Sequence, residues 1–247
     1  MATTDTNHYV ASGYFLSRYV GPRDCTGIDL RRVSIASDHS SRRFFPHSWA
    51  LSWCHGSRNE RVAEAAVFGI AEGDLARVMT WADDSFGMAF GAWSAFFDID
   101  AARYAARSFL SSSSDIDLWG VGLHRSLASA YCAATKPPPP KQGYAPEGAS
   151  GVHIATCERP APLAEGGIVL GHELLIAERG GAFNSPESRH LDEHSHHQAV
   201  GVVANANGLI DSFNEALACC RHLDVHAGET PHQLTGWRPW LIVHYAL

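Results

Sequence analysis

Four consecutive prolines, Pro137 to Pro140, flanked by Lys136 and Lys141, constrain this chain more than any other feature of its sequence. Proline lacks the backbone donor and clashes with the preceding helical turn, which excludes the run from a helix interior and from a central strand. What remains is an extended polyproline segment, read here as a stiff connector rather than as a ligand for a proline-binding domain. Residues 135–150 are therefore the place where the chain can divide; otherwise its 247 residues are expected to build one α+β domain.

On either side of that connector the hydrophobic period differs. Tyr9 to Val20 is rich in aromatic and β-branched residues and ends at Gly21-Pro22, the signature of a strand. A short strand is expected at 32–36, and the aromatic stretch Phe44 to Trp53 reads as a buried loop or short strand. Helical signals then dominate. A capping box at Ser57 to Glu60 opens one helix, Gly73-Asp74 precedes a second, and Asp98 or Asp100 caps a third whose inner face is Ala102, Ala105, Ala106 and Phe109. Residues 116–134 give a fourth, with Gly120 and Gly122 weakening its start.

Beyond the prolines, Gly151 to Cys157 alternates like a strand, Ile168 to Ala177 is a second strand and Val200 to Ala204 a third. Ser212 to Glu215 is a capping box that starts a helix over 213–223, and Trp240 to Tyr245 is a terminal strand. The fold class is thus α+β, with a mixed or antiparallel sheet in which residues 1–20 and 240–247 share strands around a helical middle.

The composition, 45% apolar and 18% charged, is that of a globular chain, and its longest unbroken apolar candidate for a membrane span, Ile168-Val169-Leu170, is cut at Gly171 and His172. The first residues lack the basic and apolar regions of a secretory signal, which places the chain by expectation in the cytoplasm. Six sparse cysteines, Cys25, Cys54, Cys132, Cys157, Cys219 and Cys220, fit reduced and mostly buried thiols. Cys219 is expected to be the more exposed of the vicinal pair.

The net charge of −7 is unevenly spread: residues 1–61 hold eight arginines against five acids, whereas residues 62–247 hold eleven basic residues against twenty-one acids. That acidic balance argues against a general nucleic-acid binder. Arg31, Arg32, Arg42 and Arg43 provide planar guanidinium forks suited to an anion such as phosphate or a nucleotide, and Arg42 and Arg43 lie nearest the aromatic segment.

The densest chemical signal is His190-Leu191-Asp192-Glu193-His194-Ser195-His196-His197. His190, His194, His196 and His197 are the candidate ligands for a divalent ion such as zinc, with Glu193 or Glu173 as general base of a metal-assisted hydrolase. Nearly devoid of apolar residues, the stretch reads more readily as an exposed loop. Cys54 and His55 precede an expected helix N-terminus, where the dipole favours thiolate, and form a candidate nucleophile pair. Asp38-His39-Ser40 holds the residue types of a hydrolase triad, but no nucleophile elbow accompanies it, and no glycine-rich phosphate loop occurs.

No complete catalytic set emerges. The leading expectation is a non-catalytic protein that presents an acidic aromatic surface to a protein partner, immunity- or antitoxin-like, without cofactor. Metal-dependent hydrolysis at residues 190–197 and binding of a small anionic ligand by the arginines are the alternatives.

Overall fold

The structure, a computed structural model, describes residues 5–19, 48–50, 68–86, 96–110, 116–136, 151–177, 183–186, 189, 191–228, 233 and 235–247. The strand expected at 32–36, the capping box at 57–60, the Asp38-His39-Ser40 cluster, the proline run and the candidate residues Arg31, Arg32, Arg42, Arg43, Cys54, His55 and His190 lie outside these.

Among the described residues six strands form an antiparallel sheet: β1 (Tyr9–Tyr19), β2 (Ser48–Ala50), β3 (Ile116–His124), β4 (Ile168–Ala177), β5 (Phe183–Asn184) and β6 (Arg238–Tyr245), in the order β2-β1-β3-β6-β4-β5. Both ends of the chain enter this sheet, as the terminal strand patterns require, and β3 pairs with each of them. Helices α1 (Glu72–Phe86) and α2 (Ile99–Phe109) lie between β2 and β3 in the chain, followed by α3 (Arg125–Thr135), α4 (Glu193–Ala199) and α5 (Phe213–His226). The class is α+β. No helix among the described residues is long and apolar enough to cross a membrane.

β3 corrects the expectation of a helix from 116. Its burial runs almost without interruption because both faces of the sheet are covered, so the alternation that marks a half-buried strand is absent. The glycines that suggested a weak helix start are what a strand in this position needs. A Cβ on Gly120 would stand 2.5 Å from the Tyr245 ring, and one on Gly122 2.5 Å from Leu163 and 3.1 Å from Tyr9. The helical spacing of Leu127, Ala130 and Tyr131 is real but begins only at Arg125, where His124 caps α3 by accepting from the Ser126 amide at 3.3 Å.

Register fixes the faces, since residues opposite one another on paired strands point the same way. One face carries Tyr9, Tyr14 and Leu16 of β1, Leu118 of β3 and Leu241 and Val243 of β6, packed on Val78 of α1 and Ala102, Ala105 and Ala106 of α2. Farther across that face, Leu174 and Ile176 of β4 meet Ala216, Cys219, Cys220 and Leu223 of α5. The opposite face carries Trp119, Val121, Leu123, Trp240 and Ile242, closed by Tyr131 of α3 and Val152. Tyr131 meets Trp240 edge to face at 5.2 Å.

Four further expectations are corrected. Gly151 to Cys157 is not a strand: Gly151–His153 is a helical turn continued by a π-helical turn, Ile154–Glu158, with Val152, Ala155 and Thr156 buried. A short apolar run fits either period, and here the His153 Nδ1–H bond to Thr135 Oγ1 (2.7 Å) and a Cys132–Cys157 disulfide tie it to α3. That bond also overturns the reduced state expected of these two cysteines. Val200 to Ala204 is the exit from α4, closed by Gly201 at φ +71° with its amide on the Gln198 carbonyl. Cys219 and Cys220 are both buried, so neither is the exposed member of the pair.

Candidate functional site

From Glu193 onward the histidine-rich segment is a helix, not the exposed loop its polarity suggests. Asp192 caps α4 by accepting from the Ser195 amide at 3.3 Å, and the same serine holds the Asp192 carboxyl below its ordinary pKa. One turn apart, Glu193 and His197 face inward and are buried, with Nε2 and Oε1 3.4 Å apart. His194 points to solvent and accepts from Gln198 Nε2 at 2.7 Å. His196, half-buried, turns towards α5, where its ring meets His222 at 5.3 Å, and His222 in turn meets His226 at 4.3 Å.

The four candidate residues of this segment that are described therefore divide three ways, and only His196 joins other imidazoles. Glu193, proposed as a general base, is committed to the α4–α5 interface. Its charge also bears on Cys219, whose thiol is pushed up to about 11, first by burial and then by Glu193 and Glu215, which disfavours thiolate. Glu173, the other candidate base, is buried in β4. Among the described residues no three histidine, cysteine or carboxylate side chains stand as a ready-made metal site.

A second polar cluster went unread in the sequence. His172 on β4 places Nδ1 2.9 Å from the Ile210 carbonyl, which can only accept, so Nδ1 carries the proton and Nε2 is the acceptor. The Tyr9 hydroxyl donates to that Nε2 at 2.7 Å. Burial drives the His172 pKa down to about 4 and that of Tyr9 up to about 12, so both stay neutral near pH 7. Phe213, the first residue of α5, lies against the pair, stacking on His124 at 4.1 Å and meeting Tyr9 and His172 at 6.4 and 6.0 Å. The sequence signals were an isolated tyrosine at a strand start and a histidine inside an apolar strand, neither of which names its partner. With Tyr9 and His172 both at or below 2% exposure, this pair orders the fold and offers no access to a substrate.

At the far end of β3 the Asp117 carboxylate takes a 3.0 Å hydrogen bond from His244 Nε2, beside Trp119, whose indole N–H donates to Ser17 Oγ at 2.7 Å. Here the serine hydroxyl is used as an acceptor by tryptophan.

The aromatic load of residues 81–109 has an exposed part. Trp81 of α1 meets Tyr104 and Phe109 of α2 at 5.5 and 5.1 Å, Tyr104 and Phe109 stand 5.9 Å apart, and the Arg77 guanidinium lies 5.1 Å over Phe109. Tyr104 is 52% exposed. Asp100, one turn before Tyr104 on α2, is exposed, as is Asp74 on α1. Across residues 72–109 the sequence holds six acids and three arginines.

Comparison of the chain with protein-family models, with curated proteins and with solved structures returns no match.

Proposed function

We propose that this protein is a non-catalytic binding protein that presents the acidic aromatic surface of α1 and α2 to a basic protein partner, in the manner of an immunity or antitoxin protein. The observation that carries this reading is Tyr104, half exposed and braced by Trp81 and Phe109. A rigid aromatic ring in such a setting supplies contact area with little entropy to lose, and aromatic residues are the usual anchors of protein interfaces. The excess of acids over arginines in the sequence of residues 72–109 favours a cationic partner and speeds the encounter. Support also comes from the inward commitment of the groups best suited to chemistry: Tyr9, His172, Glu193 and Cys219 are all buried. The compartment belongs to the same proposal. A Cys132–Cys157 bond persists in oxidising surroundings, which favours these over the cytoplasm expected from the sparse cysteines.

The test is a fluorescence titration of the protein with an arginine-rich nonapeptide and with an acidic control peptide. Saturable binding of the basic peptide alone, weakened about tenfold in Tyr104→Ala and in Asp100→Lys, is the expected result, equivalent to about 1.4 kcal/mol each. No binding of the basic peptide, or equal binding by the Tyr104→Ala variant, refutes the reading.

A further inference from the structure

Asn207-Gly208 is the one Asn-Gly step in the sequence. Glycine has no Cβ to shield its amide nitrogen, so in this dipeptide the nitrogen can close on the preceding carboxamide carbon and form a cyclic imide. The structure places the step in a turn between α4 and α5, where the Asn205 carbonyl accepts from the Gly208 amide at 2.9 Å. Gly208 has φ +74°, a conformation that favours glycine. Asn207 is half-buried, and among the described residues its carboxamide has no hydrogen-bond partner. The electrophile is therefore loose, whereas the nucleophile is held.

Asn205 does the holding. Its Oδ1 accepts from the Asn207 amide at 2.9 Å and from the Leu209 amide at 3.2 Å, on either side of Gly208. Its Nδ2 donates to the Leu170 carbonyl at 2.7 Å and to Asp211 Oδ1 at 2.6 Å, which ties the turn to β4. Its own amide donates to the Leu209 carbonyl at 2.8 Å. A Gly208 N–H that donates to a carbonyl keeps its proton, so ring closure waits until the turn opens.

We propose that Asn207-Gly208 is a site of spontaneous covalent modification, converted to aspartate and isoaspartate through an imide, and that the Asn205 side chain sets its rate by keeping the turn closed. The Gly208 nitrogen gives up its proton to hydroxide, bonds to Cγ of Asn207 and expels the carboxamide nitrogen as ammonia. Water then adds to one of the two imide carbonyls and the ring opens, so the overall exchange is water in and ammonia out, with no oxidant or reductant. Opening at the main-chain carbonyl leaves isoaspartate, whose backbone runs through the side-chain carbon and is longer by one atom. That change falls just before Ile210, whose carbonyl holds the His172 amide at 2.7 Å and Nδ1 at 2.9 Å, so the buried His172–Tyr9 pair lies within its reach.

Peptide mapping by mass spectrometry, with enzymatic methyl labelling of isoaspartate, follows the step at pH 8.5 in the full chain, both folded and unfolded in urea. Folded wild type should convert slowest, Asn205→Ala about tenfold faster, and the urea-unfolded chain at least as fast as that variant, with isoaspartate among the products. Asp211→Ala removes one anchor of Asn205 at an exposed position and should move the folded rate in the same direction, which keeps the test available if Asn205→Ala does not fold. Absence of conversion in the unfolded chain overturns the proposal, as does conversion to aspartate alone or a folded rate that neither variant raises.

Discussion

Tyr9 and His172 lie 163 positions apart in sequence, yet the tyrosine hydroxyl donates a 2.7 Å hydrogen bond to the imidazole Nε2. The link crosses the sheet from β1 to β4, over two intervening strands. On β3 between them, the missing side chain of Gly122 leaves room for Leu163 and for Tyr9 itself. Removing the hydroxyl by Tyr9→Phe leaves a buried acceptor without its donor, which costs about 1–3 kcal/mol. Urea denaturation measures this directly, and an unchanged midpoint would show that the bond contributes nothing to stability.

Stability should fall with pH through the same imidazole. In the folded chain burial lowers the His172 pKa to about 4, whereas an unfolded histidine takes up its proton near 6.5. Between those values the unfolded state binds the extra proton. The contribution is therefore fully present above pH 6.5, is lost as pH falls towards 4, and changes no further below that. Its total is about 3 kcal/mol. Urea midpoints at pH 7.5 and pH 4.5 should converge in His172→Asn, which removes the titrating group; an equal loss in both proteins would assign the effect to other residues.

Gly171 makes the Ile210 contact with His172 attainable. Its φ of +132° disfavours any side chain, and a Cβ there would stand 2.8 Å from the Leu209 Cβ and 3.1 Å from the Ile210 carbonyl oxygen. That oxygen accepts from both the His172 amide, at 2.7 Å, and Nδ1. Gly171→Ala is expected to cost about 2 kcal/mol or more and to speed amide exchange at His172 and Ile210. Gly166→Ala is the control, because Gly166 has φ +81° with nothing within 4 Å of a Cβ. Its cost should be smaller, about 1 kcal/mol, from backbone strain alone; equal losses would refute the steric account.

The Cys132–Cys157 bond closes a loop across the proline connector, with a sequence separation of 25 residues. Restricting the unfolded chain over that span stabilises the fold by about 3 kcal/mol on the loop-entropy account. A Cys132→Ser, Cys157→Ser double variant should lose that amount in urea, and a disulfide-mapped peptide joining the two positions should appear only in the unreduced wild type. Failure to recover the peptide from protein purified under oxidising conditions removes the cross-link.

Elements set by local chemistry were legible in the sequence. The aromatic and β-branched run from Tyr9, the terminal strand to Tyr245, the Asp98 cap of α2 and the Ser212 cap of α5 are all where their residues place them. β3 was not, because burial on both faces erases alternation and its glycines act through rings on other strands. The histidine-rich segment was misread as a loop because its inward residues are Glu193 and His197, which carry no hydrophobic signal.

The sequence by itself determined that strands open and close this chain and that capped helices fill much of its middle, since strand and helix-cap preferences act over a few neighbouring residues. Tertiary structure alone decided that Tyr9 meets His172, that Cys132 meets Cys157, and that His196 meets His222. Each pairing depends on sheet register or helix packing, which brings together side chains whose identities carry no record of their partners.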